Sequence, residues 1–232
     1  MARRGARLVR DRTLESELKF RVQGPAAHTR LRATLRKRGA RLAGHYREEN
    51  IRLTGPGKST RRTSLRLRVL NGGPSGMLTA KGPATFASGV KIREETETAV
   101  SDAHAALDLF LQLGFQVAWT YPKQRSLWTL DGVSITLDVL DFGWFVELEG
   151  PLDKLPAMAH TLGFEVASAV RESYSVLARQ FLQANKDGAT RPTPRPARPQ
   201  SRRASPRSEA RTAQRQSGPP HLPDASRAAP DA

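Results

Sequence analysis

The sequence contains no cysteine. That excludes a disulfide framework, removes thiolate chemistry and deprives a structural zinc site of its commonest ligand. Also missing is any apolar run near the roughly 20 residues that a membrane-crossing helix requires. The basic opening MARRGARLVRDR has no apolar core behind it, as a secretory leader would. These absences predict a cytoplasmic protein with no membrane partner. No Walker-type phosphate loop and no Ser, His and Asp arrangement for nucleophilic catalysis is present. Of the five histidines, His28, His45, His104 and His160 fall in or beside predicted helices and His221 lies near the C-terminus. All five are read as incidental to metal binding.

Positive charge is what the chain has in excess, +16 over 232 residues. It is unevenly placed, and placement decides its meaning. Residues 1–12 hold five arginines against Asp11, and from Lys186 to Ala232 ten Lys or Arg face four Asp or Glu, which leaves a net +6 for the body between. The same C-terminal stretch contains nine of the 16 prolines and little that could build a core. Residues 1–12 are therefore read as a basic disordered arm, 13–184 as the domain and 185–232 as a disordered Pro/Arg-rich tail. Nucleic acid could be held only through those basic ends.

Within the domain, segments rich in β-branched and aromatic residues alternate with a few helical ones. Helices are predicted from His28 to Gly39, from an N-cap at Ser101 to Gly114, from Pro151 to Gly163 and from Arg171 to Ala184. Residues two apart in a strand share a face, and seven strand segments repeat one arrangement. Glu15, Glu17 and Lys19 oppose Leu18 and Phe20; Arg66 and Arg68 oppose Leu65, Leu67 and Val69; Lys81 opposes Leu78 and Ala80. Lys91, Arg93, Glu95 and Glu97 oppose Val90 and Ile92, and Lys123 shares a face with Arg125. Asp138 opposes Val133, Ile135, Leu137 and Val139, and Glu147 with Glu149 opposes Val146 and Leu148.

For a single strand, a sheet with its charged face in water is the simpler account. Acidic and basic pairs recurring at the same spacing in strand after strand call for another. An eight-stranded closed barrel with its apolar side turned out under helices brings these charges together inside, with room for one small ligand. A dry lumen is excluded, since the idealised cost is of order 20 kcal/mol per ion. The inward set numbers eight bases and seven acids, a net +1. Two divalent cations would raise it to about +5, close to the charge of a triphosphate.

These residues resemble the CYTH domain, the family of class IV adenylate cyclase and thiamine triphosphatase among the triphosphate tunnel metalloenzymes. The resemblance covers residues 13–184. Its most specific element is ExExK, present as Glu15-Ser16-Glu17-Leu18-Lys19, followed in order by LRLR, LTAKGP, KIREETE, KQR, SITLD, FVELEG and SYSVL. The resemblance implies a mainly β, α+β fold: an eight-stranded antiparallel closed β-barrel with helices packed outside. It implies that Glu15, Glu17, Glu147 and Glu149, with Asp138, hold Mg²⁺ or Mn²⁺, two ions being expected. It further implies that Lys19, Arg66, Arg68, Lys81, Lys91, Arg93, Lys123 and Arg125 cradle phosphates, and that Lys19, Lys81 and Glu97 assist catalysis. The stretch HYREENIRLTGP departs from many relatives; Glu48, Asn50 and Arg52 are expected to face inward there. The substrate implied is ATP, inorganic triphosphate or thiamine triphosphate. Cyclisation of ATP to cyclic AMP and pyrophosphate is the first expectation, since LTAKGP, REETE and VELEGP look closest to that branch. Hydrolysis of a small triphosphate is the second, and non-catalytic polyphosphate or RNA binding the third.

Overall fold

Leu18 and Phe20 alternate with Glu17 and Lys19, so whichever side of this strand is dry, the other must be charged. The computed structural model, which describes residues 13–57 and 63–186, satisfies this alternation by closing the sheet. Eight strands form it: β1 (Thr13–Val22), β2 (Arg41–Thr54), β3 (Ser64–Leu70), β4 (Gly76–Ala87), β5 (Val90–Val100), β6 (Gln116–Leu130), β7 (Val133–Leu140) and β8 (Gly143–Glu149). The order around the barrel is β1-β5-β4-β3-β2-β6-β7-β8, and β8 closes on β1. Every pairing is antiparallel. The expected architecture is the one observed. The basic arm at 1–12 and the tail beyond Lys186 lie outside the described residues.

Apolar side chains face out and helices cover them. Helix α1 (Gly24–Lys37) and α3 (Leu155–Thr161) bury Leu18, Phe20, Val133, Ile135, Leu137, Val146 and Leu148 beneath Leu31, Leu35, Leu155 and Met158. Helix α2 (Ala103–Gln112) places Leu107 and Phe110 over Ile51, Leu53, Leu67 and Val69. Each such side chain contributes roughly 1.5–3 kcal/mol by leaving water, and this outer core holds the charged lining in place. The last helix, α4 (Tyr174–Lys186), packs Tyr174 and Ala178 against Tyr121, Leu140 and Phe145. The Tyr174 and Phe145 rings meet edge to face at 5.2 Å.

Helix boundaries differ from the sequence expectation in instructive ways. Helix α1 starts a turn early because Pro25, in its first turn, needs no hydrogen-bond partner there. The N-cap of α2 is Asp102 and not Ser101; its carboxylate accepts the Ala105 amide at 2.9 Å. Helix α4 begins at Tyr174, after Ser173 Oγ accepts the Val176 amide. The predicted endings at Gly114 and Gly163 hold, each glycine having φ of 81°, a conformation that other residues adopt at a cost.

Candidate functional site

The register of the barrel converts strand alternation into ion pairs. Glu17 stands opposite Lys91 on β5 and Glu149 on β8, and Lys19 stands opposite Glu147. Lys91 Nζ donates to Glu17 at 2.7 Å. Lys19 Nζ lies 3.2 Å from Glu147 and 3.9 Å from Glu17, and donates to the Glu172 carbonyl at 2.9 Å. On β6, Arg125 grips Asp138 with Nε and Nη2 at 2.7 and 2.6 Å and reaches Glu147 at 2.8 Å. Lys123 Nζ is 2.9 Å from Glu48 and 3.7 Å from Asp138. Lys81 pairs with Glu95 across β4 and β5. Arg66 and Arg68 lie 3.7 and 3.9 Å from Glu97, which also accepts from Thr79 at 2.5 Å.

Exposure orders these groups by depth. The side chains of Lys123, Asp138, Glu48 and Lys19 are 0–2% exposed, those of Arg66, Arg68, Arg125 and Glu147 14–15%, those of Glu17 and Lys81 21%, and that of Glu97 35%. The deep layer is the floor, completed by Tyr174. Its hydroxyl donates to Asp138 at 2.9 Å, and its ring faces the Lys19 ammonium 4.3 Å from the centroid.

The acids divide into two populations. Burial opposes ionisation of Glu17, but the Lys19, Lys91 and Lys81 ammoniums hold its carboxyl well below the usual range. Burial likewise opposes Asp138, and Arg125 and Lys123 hold it low; Glu97 is lowered against burial by Arg68 and Thr79. Glu15 and Glu149 go the other way. Burial and the facing Glu149 push Glu15 up to about 9, and burial together with Glu147 and Glu17 raises Glu149. Two carboxylates whose ionisation burial and neighbouring acids oppose, with hard oxygen donors, fit a divalent cation such as Mg²⁺ or Mn²⁺. No ready-made shell of three or more acidic or histidine side chains exists among the described residues.

All the expected residues line the barrel, but not in equal roles. Asp138, expected with the metal ligands, already has both oxygens taken by Arg125, Thr136 and Tyr174, which makes it an anchor for Arg125. Arg93 turns both Nε and Nη2 onto the Gly82 carbonyl at 2.9 and 2.6 Å. It thereby pins the irregularity of β4 between Lys81 and Ala84. Lys91, together with Glu17 and Lys19, also lines a small pocket beside Phe86, Gly89 and Arg171. By contrast, Arg66 Nε, Arg68 Nε and Asn50 Oδ1 are buried without a hydrogen-bond partner, as groups awaiting a ligand would be. His28 is fully buried with Nε2 3.0 Å from the Phe145 carbonyl, and His45 Nδ1 is 3.0 Å from Ser126 Oγ.

Sequence reasoning assigned no role to Glu48, Thr79, Tyr121 or Tyr174. Tyr121 could have been found, since it continues the spacing of Lys123 and Arg125. Tyr174 falls in the SYSVL segment of the resemblance without a role of its own, because its partner Asp138 is 36 residues away.

The comparisons agree with this architecture. The PH1012 protein of Pyrococcus horikoshii superimposes with a TM-score of 0.60 and 24% identity over 70% of this chain and 98% of that one. A putative adenylate cyclase of Vibrio parahaemolyticus gives 0.61 and 22% over 72% and 98%. The Hippeastrum protein HpAC1, a putative adenylyl cyclase described as having a dominant triphosphatase activity, gives 0.57 and 17% over 72% and 96%. No curated protein matches the sequence. A family model for the CYTH domain matches residues 13–174. The matched segment holds all eight strands of the barrel and its whole charged lining, and the chain belongs to the CYTH domain family.

Proposed function

We propose that this protein is a metal-dependent enzyme that processes a triphosphate inside the barrel. One observation carries the reading: two carboxylates whose acidic neighbours oppose their ionisation, the half-buried Glu15 and the more exposed Glu149, share a barrel with buried arginines whose Nε atoms lack a hydrogen-bond partner. An anion binder that used no cation would gain nothing from the acids, whereas an enzyme that combines phosphate with metal needs both sets.

In this reading Arg66 and Arg68 orient the phosphate oxygens by forked hydrogen bonds, and Arg125, held by Asp138 and Glu147, adds its charge. Lys81, at the mouth against Glu95, delivers a proton to the departing phosphate oxygen. Glu15 and Glu149, with Glu17 and Glu147 beside them, would hold the Mg²⁺ or Mn²⁺. The bound cation supplies charge neutralisation on phosphate and a more acidic attacking group. Tyr174 and the helix behind it exclude water from the floor.

Hydrolysis of a small triphosphate requires only phosphate and cation partners, which this lining supplies. The triphosphatase activity ascribed to the Hippeastrum relative points the same way. The adenylyl cyclase reading is favoured by the LTAKGP, REETE and VELEGP segments and by the name of the Vibrio relative. Incubation with ATP, inorganic triphosphate and thiamine triphosphate, each with Mg²⁺ or Mn²⁺, separates the two. Orthophosphate is the expected product of hydrolysis and cyclic AMP of cyclisation. Absence of turnover of all three substrates removes the enzyme reading.

A further inference from the structure

Glu48 lies where a phosphate-binding wall has least use for an acid. On β2 it stands in register with Lys123 of β6, and its carboxylate lies 2.9 Å from Lys123 Nζ, 3.6 Å from Arg68 Nε and 3.9 Å from Arg125 Nε. Three of the eight cations expected to hold phosphate converge on this one group. Its side chain is 2% exposed, whereas Arg68 and Arg125 are each 15% exposed, so the arginines lie between it and the mouth. Asn50 Nδ2 also donates to it at 3.5 Å, and further along β2 and its partner β3 follow the atoms without a hydrogen-bond partner, Asn50 Oδ1, Arg68 Nε and Arg66 Nε. Asp138 differs, because Thr136 and Tyr174 hydroxyls cap it from the floor side.

We propose that Glu48 is a built-in anion filling the innermost position of the basic wall, and so limits how many phosphate groups the lumen accepts. The inference rests on the phosphate-binding reading above. A linear phosphate chain entering from the mouth meets the arginines first and a fixed carboxylate last. The next phosphate would have to approach that carboxylate at close range in a poorly screened interior, where like charges repel strongly. Glu48 thus acts as a stop for the anion, so that a chain longer than tripolyphosphate gains no further contact. A purely structural Glu48, present only to neutralise Lys123, would leave chain-length preference untouched when its charge is removed.

The test is calorimetric binding and thermal unfolding of the full chain in EDTA, where metal-dependent turnover is absent. Inorganic tripolyphosphate and tetrapolyphosphate are the probes, and wild type is compared with Glu48→Gln. Wild type is expected to bind the two with similar affinity. In Glu48→Gln the fourth phosphate gains the freed Lys123 and Arg68, and tetrapolyphosphate should bind about tenfold more tightly than tripolyphosphate, the worth of one charge-assisted contact. Equal affinities in a folded Glu48→Gln overturn the proposal. Should that variant fold only with polyphosphate present, greater rescue by the longer chain supports the proposal and equal rescue overturns it. Should it not fold at all, Glu48→Asp decides. It draws the carboxylate back by one methylene and should favour tetrapolyphosphate about two- to threefold, and an unchanged ratio overturns the proposal. Wild type that binds neither probe ends the phosphate-binding reading itself, whereas binding without turnover in the activity assay ends only the enzyme reading.

Discussion

Replacing Glu15 by Gln should make the metal-free protein more stable near neutral pH. Its carboxyl has an ordinary value of 4.5 when the chain is unfolded and is pushed up to about 9 in the barrel by burial and by Glu149. Below pH 4.5 it is protonated in both states and makes no difference. Between the two values the unfolded chain releases a proton that the folded chain retains, so stability falls as pH rises through this window. At pH 7.5 the difference spans about three pH units, a ceiling of about 4 kcal/mol. Glu15 is half-buried, and solvent screening reduces that to about 1–2 kcal/mol. Glu15→Gln should exceed wild type by that amount at pH 7.5 in EDTA, and the gap should close by pH 5. Urea denaturation followed by the fluorescence of Trp119, Trp128 and Trp144 measures it, with an unchanged slope against denaturant confirming that only stability has moved. Millimolar Mg²⁺ should then stabilise wild type more than the variant. A variant less stable than wild type at pH 7.5, or equally stabilised by Mg²⁺, would refute the assignment of Glu15 to an uncompensated acid pair.

Glu17→Gln should behave oppositely to Glu15→Gln, because it strands Lys91 and leaves Lys19 with Glu147 alone; a loss of stability above about 1 kcal/mol is expected in the same urea assay. Tyr174→Phe removes a buried hydroxyl donor to a carboxylate and should lower stability by about 1.5–2 kcal/mol, read from the urea midpoint, leaving the fold intact in circular dichroism. Arg68→Ala should lower kcat/KM for the accepted triphosphate about a hundredfold, with a smaller change in thermal midpoint. Gly89→Ala should destabilise by more than about 1 kcal/mol, since its φ is +81° and an added Cβ would stand 2.7 Å from Val166 Cγ1; differential scanning calorimetry measures it.

Alternation made the facing of nearly every strand legible. Leu65, Leu67 and Val69 against Arg66 and Arg68 leave only two arrangements, and recurrence across seven segments selects closure. The fate of each charge was not legible, because it depends on register between strands. Glu15 and Glu17 share a face two residues apart, yet Glu17 meets Lys91 and ionises readily. Glu15 stands opposite Arg93, whose guanidinium turns away to the Gly82 carbonyl. That turn follows from the irregularity between Lys81 and Ala84, which no local spacing announces. Glu48 was expected to face inward, but its grip on cations from β3 and β6 exists only once those strands flank β2. Tyr174 stayed hidden for a similar reason, since a tyrosine opening a helix reads as packing until the helix is seen lying across the floor.

The closure of β8 on β1 also has a consequence for synthesis. Among the eight strands the first to leave the ribosome waits for the last before residues 17–22 gain their partner, so the sheet passes through an open stage with long sequence separations still to be bridged, the kind of topology that folds slowly. During that wait the edge of β1 offers unpaired amides to any neighbouring chain. It also carries Glu15, Glu17, Lys19 and Arg21 in alternation, and charged edges discourage mispairing. The side chains that later surround the ligand thereby protect the unfinished molecule from its own kind.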